Sequence, residues 1–186
     1  MIFIYGEDRI YFAESLMDAK LNVTEASKID DFDFWRVEGK LIYVDTEYSR
    51  VRDLIKYLVK PPEILDKPSL LDYFNRVGKV LDENFYGRDD RGMYPMSIWI
   101  ADDKSLYAIG GGGRIHKNNT SGICQKEAYT TRNAIDMAIC ATIPKDMIPK
   151  ERAKYFFARR SFFTTEKALP AILLNTKDDT FEIIED

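Results

Sequence analysis

Leu106-Tyr107-Ala108-Ile109-Gly110-Gly111-Gly112-Gly113-Arg114-Ile115-His116-Lys117 is the stretch whose reading decides the fold. Consecutive glycines free the backbone to take φ > 0 and let another backbone or a ligand come close. Two roles compete for them, a phosphate cradle and a turn between strands. A phosphate loop needs a lysine and a hydroxyl residue at its end, opening a helix. Here Arg114-Ile115-His116 follows and reads as extended chain. The glycines are therefore expected to form a hairpin or bulge turn.

Working outward, Met96–Ile100 and Leu106–Ile109 read as a hairpin around Ala101-Asp102-Asp103-Lys104. Short pieces at Arg114–Lys117 and Gly122–Cys124 follow the glycines. A helix is expected from about Lys126 to Ala141, with Ala134, Ile135, Ala138 and Ile139 inward. Pro149 suits the first turn of another helix, which carries Ala153, Phe156, Phe157 and Phe163 inward and its charges outward. Ala171–Leu174 and Phe181–Ile184 make a closing hairpin.

Toward the N-terminus, Ile2–Tyr5 and Ile10–Ala13 flank the turn Gly6-Glu7-Asp8-Arg9. A polar stretch runs from Asp18 to Asp33. Phe34–Val37 and Leu41–Val44 form a second hairpin across Glu38-Gly39-Lys40. Val51, Leu54, Ile55, Leu58 and Val59 then make one helical stripe, ended by Pro61-Pro62. Ser69 is the expected N-cap of the next helix, which runs to about Asn84.

Strands, two helices, strands, two helices and strands is not a βαβ alternation, so a parallel doubly wound sheet is disfavoured. Hairpins build antiparallel sheets with an apolar face to bury. Two stacked antiparallel sheets with helix pairs outside are expected, an α+β chain forming a four-layer αββα sandwich in a single domain spanning residues 1–186.

Composition narrows the function. The chain has 186 residues, 45% hydrophobic, with net charge −4, enough for a sizeable core. Its acidity disfavours a nucleic-acid partner held by phosphate contacts. Cys124 and Cys140 are too few for a disulfide framework, which points to a reducing, cytoplasmic location. Met1–Tyr5 lacks a basic n-region, so no signal peptide is expected. No apolar run approaches the ~20 residues of a membrane span.

The order and spacing of these elements resemble the proteasome β-subunit and its bacterial ATP-dependent relative, members of the N-terminal nucleophile hydrolase fold. GEDRIYFAESLMD, ending at Asp18, is similar to the family's opening hairpin. Phe34–Leu58 resembles the next hairpin and first helix, and Met96–Ile139 the hairpin, glycine turn, short strand pair and helix that follow. The resemblance implies a Thr, Ser or Cys as residue 1, whose own α-amine acts as its base. Met1 stands there instead, and its thioether is no acyl nucleophile. A lysine near the start of the third strand is also implied, lowering the nucleophile's pKa. The matching stretch is Asp31-Phe32-Asp33-Phe34, without lysine, and its carboxylates would oppose an anionic nucleophile. Glu14 stands near the family's structural aspartate.

Three further sites compete. His116 and Cys124 would form a thiol–imidazole pair if a short hairpin joined them, making Cys124 the nucleophile of an amidohydrolase or peptidase. Asp30-Asp31-Asp33 and Asp89-Asp90 lack the glycine and terminal glutamate of a calcium loop and read as solvated acidic turns. One histidine and two isolated cysteines do not make a zinc site. No metal or cofactor is therefore expected. The basic, aromatic helix around Lys150–Phe163 reads as an amphipathic helix with its charges outward rather than as a nucleic-acid surface, and part of that face suits contact with another subunit. The expected function is that of a catalytically inactive proteasome-like protein acting through protein–protein interaction, by self-association or by modulating a protease. The alternatives are the Cys124 hydrolase and a small-molecule or nucleic-acid binding module of unrelated fold.

Overall fold

The computed structural model describes residues 2–6, 9–16, 34–118, 123–125, 131–144, 146–163, 167–175 and 181–185. They fall into two compact units, one built from both ends of the chain and one from residues 32–119.

The second unit holds a sheet of β3 (Phe34–Val37), β4 (Lys40–Asp45), β5 (Ser97–Ala101), β6 (Leu106–Ile109) and β7 (Ile115–Asn118), antiparallel and in chain order. β3 and β4 turn on Glu38-Gly39, both at positive φ, as a two-residue type I′ hairpin requires. Two helices, α1 (Ser49–Leu58) and α2 (Lys67–Glu83), pack on one face. Val51, Leu54 and Ile55 of α1 and Leu70, Tyr73, Phe74 and Val77 of α2 meet Ile42, Val44, Ile98 and Ile100 of the sheet. The expected N-cap Ser69 lies inside α2. Asp66 is the cap, and its Oδ1 accepts the Ser69 N–H at 2.8 Å. Pro68 follows in the first turn, where no N–H is needed, so the helix starts earlier than Ser69 suggested.

The tetraglycine is the β6–β7 turn. Gly113 N–H donates to the Gly110 carbonyl at 2.8 Å, and Gly110 N–H to the Arg114 carbonyl at 3.0 Å. Two of these positions demand glycine. A Cβ on Gly111 would run into the Tyr94 carbonyl oxygen, which lies close because Tyr94 N–H donates to the Gly111 carbonyl at 3.0 Å. Gly113 has φ +81° and sits over the Phe74 ring. The glycines thus let the turn press against α2 and the segment before β5.

The first unit holds β1 (Ile2–Tyr5), β2 (Ile10–Ser15), β8 (Ile123–Gln125), β9 (Ala171–Asn175) and β10 (Glu182–Ile184) in the order β10-β9-β2-β1-β8, all antiparallel. Its helices are α3 (Thr131–Ala141) and α4 (Pro149–Phe163). Ile139 and the Ala153, Phe156 and Phe157 stripe cover Ile2, Ile4, Ala13 and Leu173. On the opposite face of the sheet, Phe3 and Phe12 meet edge-on at 5.2 Å.

Two antiparallel sheets, each with its own helix pair, are the α+β class expected. The strands are buried more completely than one apolar face requires: Ile98, Trp99, Ile100 and Ala101 are all buried, as are Leu41 to Val44. Strands buried on both faces read as unbroken apolar runs, which is how these segments are written.

The helix faces need correction. Ala134 and Ala138 of α3 are exposed, as is Phe163 of α4, although all three were expected inward. Arg160, expected outward, is buried against Asp136 at 3.5 Å. Periodicity marks a stripe but does not say whether that stripe meets the sheet or the neighbouring helix. Residues 153, 156, 157 and 160 meet the interior, while 155, 159 and 163 border α3.

Candidate functional site

The chemistry of an N-terminal nucleophile would sit at the start of β1. Ile2, the first described residue, is fully buried and pairs with Ala13 on one side and Gln125 on the other. β1 is thus an interior strand, and its backbone direction at Ile2 is fixed by two neighbours. Met1, Asp31, Phe32 and Asp33 lie outside the described residues.

His116 and Cys124 do not share a hairpin. β7 carries His116 opposite Ala108 and pairs with β6, whereas β8 carries Cys124 opposite Phe3 and pairs with β1. The two strands are edges of different sheets, because each finds its antiparallel partner there. His116 is half-buried, and its neighbour Lys117 lies over the Tyr107 ring at 5.6 Å. Cys140, in α3, is half-buried against the first unit's core.

The acidic turn at Asp89 is consumed by its own loop. Its carboxylate accepts the Arg91 and Met93 N–H groups at 2.9 Å each and pairs with the Arg91 side chain at 3.1 Å. The Met93 N–H, first among these, holds its pKa below the ordinary carboxylate value. Among the described residues, no group of three or more histidine, cysteine, aspartate and glutamate side chains is arranged to hold a metal ion.

Two features escaped the sequence. The first is the end of α2. Phe85 N–H donates to the Asp82 carbonyl and Tyr86 N–H to the Leu81 carbonyl, the paired bonds of a Schellman ending. The left-handed position of that motif usually holds glycine, but here it holds Phe85, at φ 65° and 98% exposed. Beside it Tyr86 packs on Tyr48, ring to ring at 5.8 Å. The segment beyond is strapped to α2 by Tyr94, whose hydroxyl donates to Asp82 at 2.8 Å and whose ring lies under the Arg88 guanidinium at 4.8 Å. Burial, more than the Asp82 contact, pushes the Tyr94 phenol above its ordinary value.

The second is a cleft of about 320 Å³ between α3 and α4. Ile135, Ala138 and Ile139 line one side and Phe163 the other. Thr142, Tyr155 and Arg159 form a polar end. Phe162, next to Phe163, is 81% exposed, and the two rings meet edge-on at 5.6 Å. Neither feature has a compositional flag: an αL phenylalanine looks like any other, and a cleft between two helices appears only once both stripes are docked.

With this geometry in hand, the solved structures can be compared. The chain superposes on BPH from Thiobacillus denitrificans with TM-score 0.67 at 14% identity, covering 99% of this chain and 97% of that one. Anbu, described as an ancestral beta-subunit, from Yersinia bercovieri aligns over 100% of this chain and 86% of its own, with TM-score 0.58 and 10% identity. The fold is proteasome-like. Its two antiparallel sheets, each with a helix pair, are the arrangement that the order of elements had implied. Anbu from Pseudomonas aeruginosa, solved as a helical assembly, matches with TM-score 0.58 and 13% identity over 100% of this chain and 86% of that one. No protein-family model matches the chain, and no curated protein matches it significantly. At these identities the likeness carries fold alone. Among the described residues, no helix is long and apolar enough to cross a membrane.

Proposed function

We propose that this chain is a catalytically silent proteasome-like subunit that acts by binding protein, either by self-association or by modulating a protease. The observation that carries the reading is what stands at the start of β1. A proteasome-like reaction needs a hydroxyl or thiol there, on a residue whose own free α-amine serves as its base. Met1 brings a thioether and Ile2 a hydrocarbon. Processing at the next Ser, Thr or Cys, which is Ser15, would remove β1, which pairs on both sides within its sheet. Asp31-Phe32-Asp33, where the family's lysine would stand, adds negative charge where an anionic nucleophile would need positive charge.

The interaction role draws support from the neighbours and the surface. One proteasome-like neighbour is a helical assembly. Phe85, Phe162 and Tyr57 place large apolar groups in solvent on helix ends, and aromatic groups are enriched at protein interfaces. Two measurements test the reading together: fluorogenic peptide turnover by the intact chain, and its mass in solution. No turnover is expected. Turnover abolished by changing Met1 or by blocking the α-amine would overturn the proposal.

A further inference from the structure

We propose that the cleft between α3 and α4 binds a small amphipathic anion, an apolar body ending in a single carboxylate. The inference goes beyond the protein-binding role and does not depend on it.

The helices create the cleft by their spacing. Ile135, Ala138, Ile139 and Thr142 recur at i, i+3, i+4 and i+7 along α3, and Tyr155, Arg159 and Phe163 at i, i+4 and i+8 along α4. Two stripes of that period face each other along their lengths. The lining is polarised. Isoleucine and phenylalanine side chains form the apolar part, and the Thr142, Tyr155 and Arg159 polar groups gather at one end. The volume, about 320 Å³, falls at the low end of the ~300–1,000 Å³ range of ligand sites, so the ligand is small.

The polar end wants an anion. Thr142 Oγ1 donates to the Ile139 carbonyl at 2.8 Å, and the Tyr155 hydroxyl donates to Thr142 at 3.4 Å, so both hydroxyl donors are engaged. Arg159 is stacked on the Tyr155 ring at 5.3 Å and has no carboxylate partner among the described residues. Its fork of N–H groups suits a carboxylate. The surrounding charge agrees. Arg132, Lys150, Arg152, Lys154, Arg159 and Arg160 outnumber the acidic residues of the two helices, Asp136 and Glu151. Asp136 pairs with Arg160, Glu151 accepts the Ile148 N–H, and Lys150 is matched by Glu182 at 2.7 Å, so five cations stand against two carboxylates. On a chain of net charge −4 this helix pair is a basic island that draws anions.

The test is a titration of the full chain with decanoate, and separately with decanol, followed by the methyl signals of Ile135 and Ile139. Decanoate is expected to produce saturable shifts at both, with decanol binding about tenfold more weakly for want of the charged hydrogen bond. Arg159→Met should bring decanoate down to the affinity of decanol. Ala138→Trp, which fills the cleft from an exposed position, should abolish both; should that variant fail to fold, the Arg159→Met comparison decides alone. Equal binding of the two compounds, an unaffected Arg159→Met, or the absence of saturable shifts would overturn the proposal. So would methyl shifts that track protein concentration without ligand, which would mean that a second copy occupies the cleft.

Discussion

At the scale of single residues, the chain places a strained side chain where nothing in the fold repays it. Phe85 takes the left-handed conformation that ends α2 while its ring stands in solvent. An L-residue there costs about 1–2 kcal/mol, partly offset in a glycine by backbone entropy. Phe85→Gly is therefore expected to stabilise the chain by about 1 kcal/mol in urea unfolding. Gly113 poses the reverse case, with φ +81° and the Phe74 ring in the way of a Cβ. Gly113→Ala should destabilise by about 1–2 kcal/mol. Gly111→Ala should be worse, because the obstructing atom is a backbone carbonyl. Asp66 sets a pH dependence. The Ser69 N–H holds its carboxyl below the ordinary value in the folded chain. Its stabilisation is then complete above the unfolded pKa and fades as pH falls through the folded one, that is, below about pH 4. Asp66→Asn keeps a cap without the charge, so its thermal midpoint should fall less steeply in acid than that of the parent chain.

At the scale of elements, hairpins and helical stripes were legible because each follows a short-range rule. Alternating turns and apolar runs placed the ten strands within a residue or two. What the sequence left open was which side of a helix meets which neighbour. Arg160 reads as a surface charge by type, yet it lies in the interior stripe beside Asp136, their side chains 8% and 14% exposed. Phe163 reads as core by type, yet it sits in the last turn on the stripe that borders α3. The buried pair carries a prediction. Asp136→Ala takes a carboxylate away from a buried guanidinium and should destabilise the chain, whereas the double change Asp136→Leu with Arg160→Met should recover most of that loss. Chemical denaturation of the three proteins distinguishes the cases, and equal losses in the single and double variants would show that the charge pairing is not what matters there.

At the scale of the whole molecule, element order pointed to the proteasome-like fold before any superposition, although identity to these structures is only 10–14%. Order and spacing survive where identities do not, because they record which strands must pair. The candidate site was less legible for the same reason. A nucleophile is one atom at one strand end, and Met1 and Asp31 to Asp33 enter the reading through residue type alone. The opening tetraglycine, with the form of a phosphate loop, is a packing device, pressed against Tyr94 and Phe74. Self-association predicts a solution mass that is a multiple of 21.6 kDa by light scattering; a single-chain mass would remove the assembly version and leave protease modulation. The most direct test of catalytic silence is hydrolysis of a panel of fluorogenic peptides by the untagged chain, with α-amine acetylation as the control. The prediction is a rate indistinguishable from buffer in both preparations. Turnover by the free-amine protein that disappears on acetylation would contradict it.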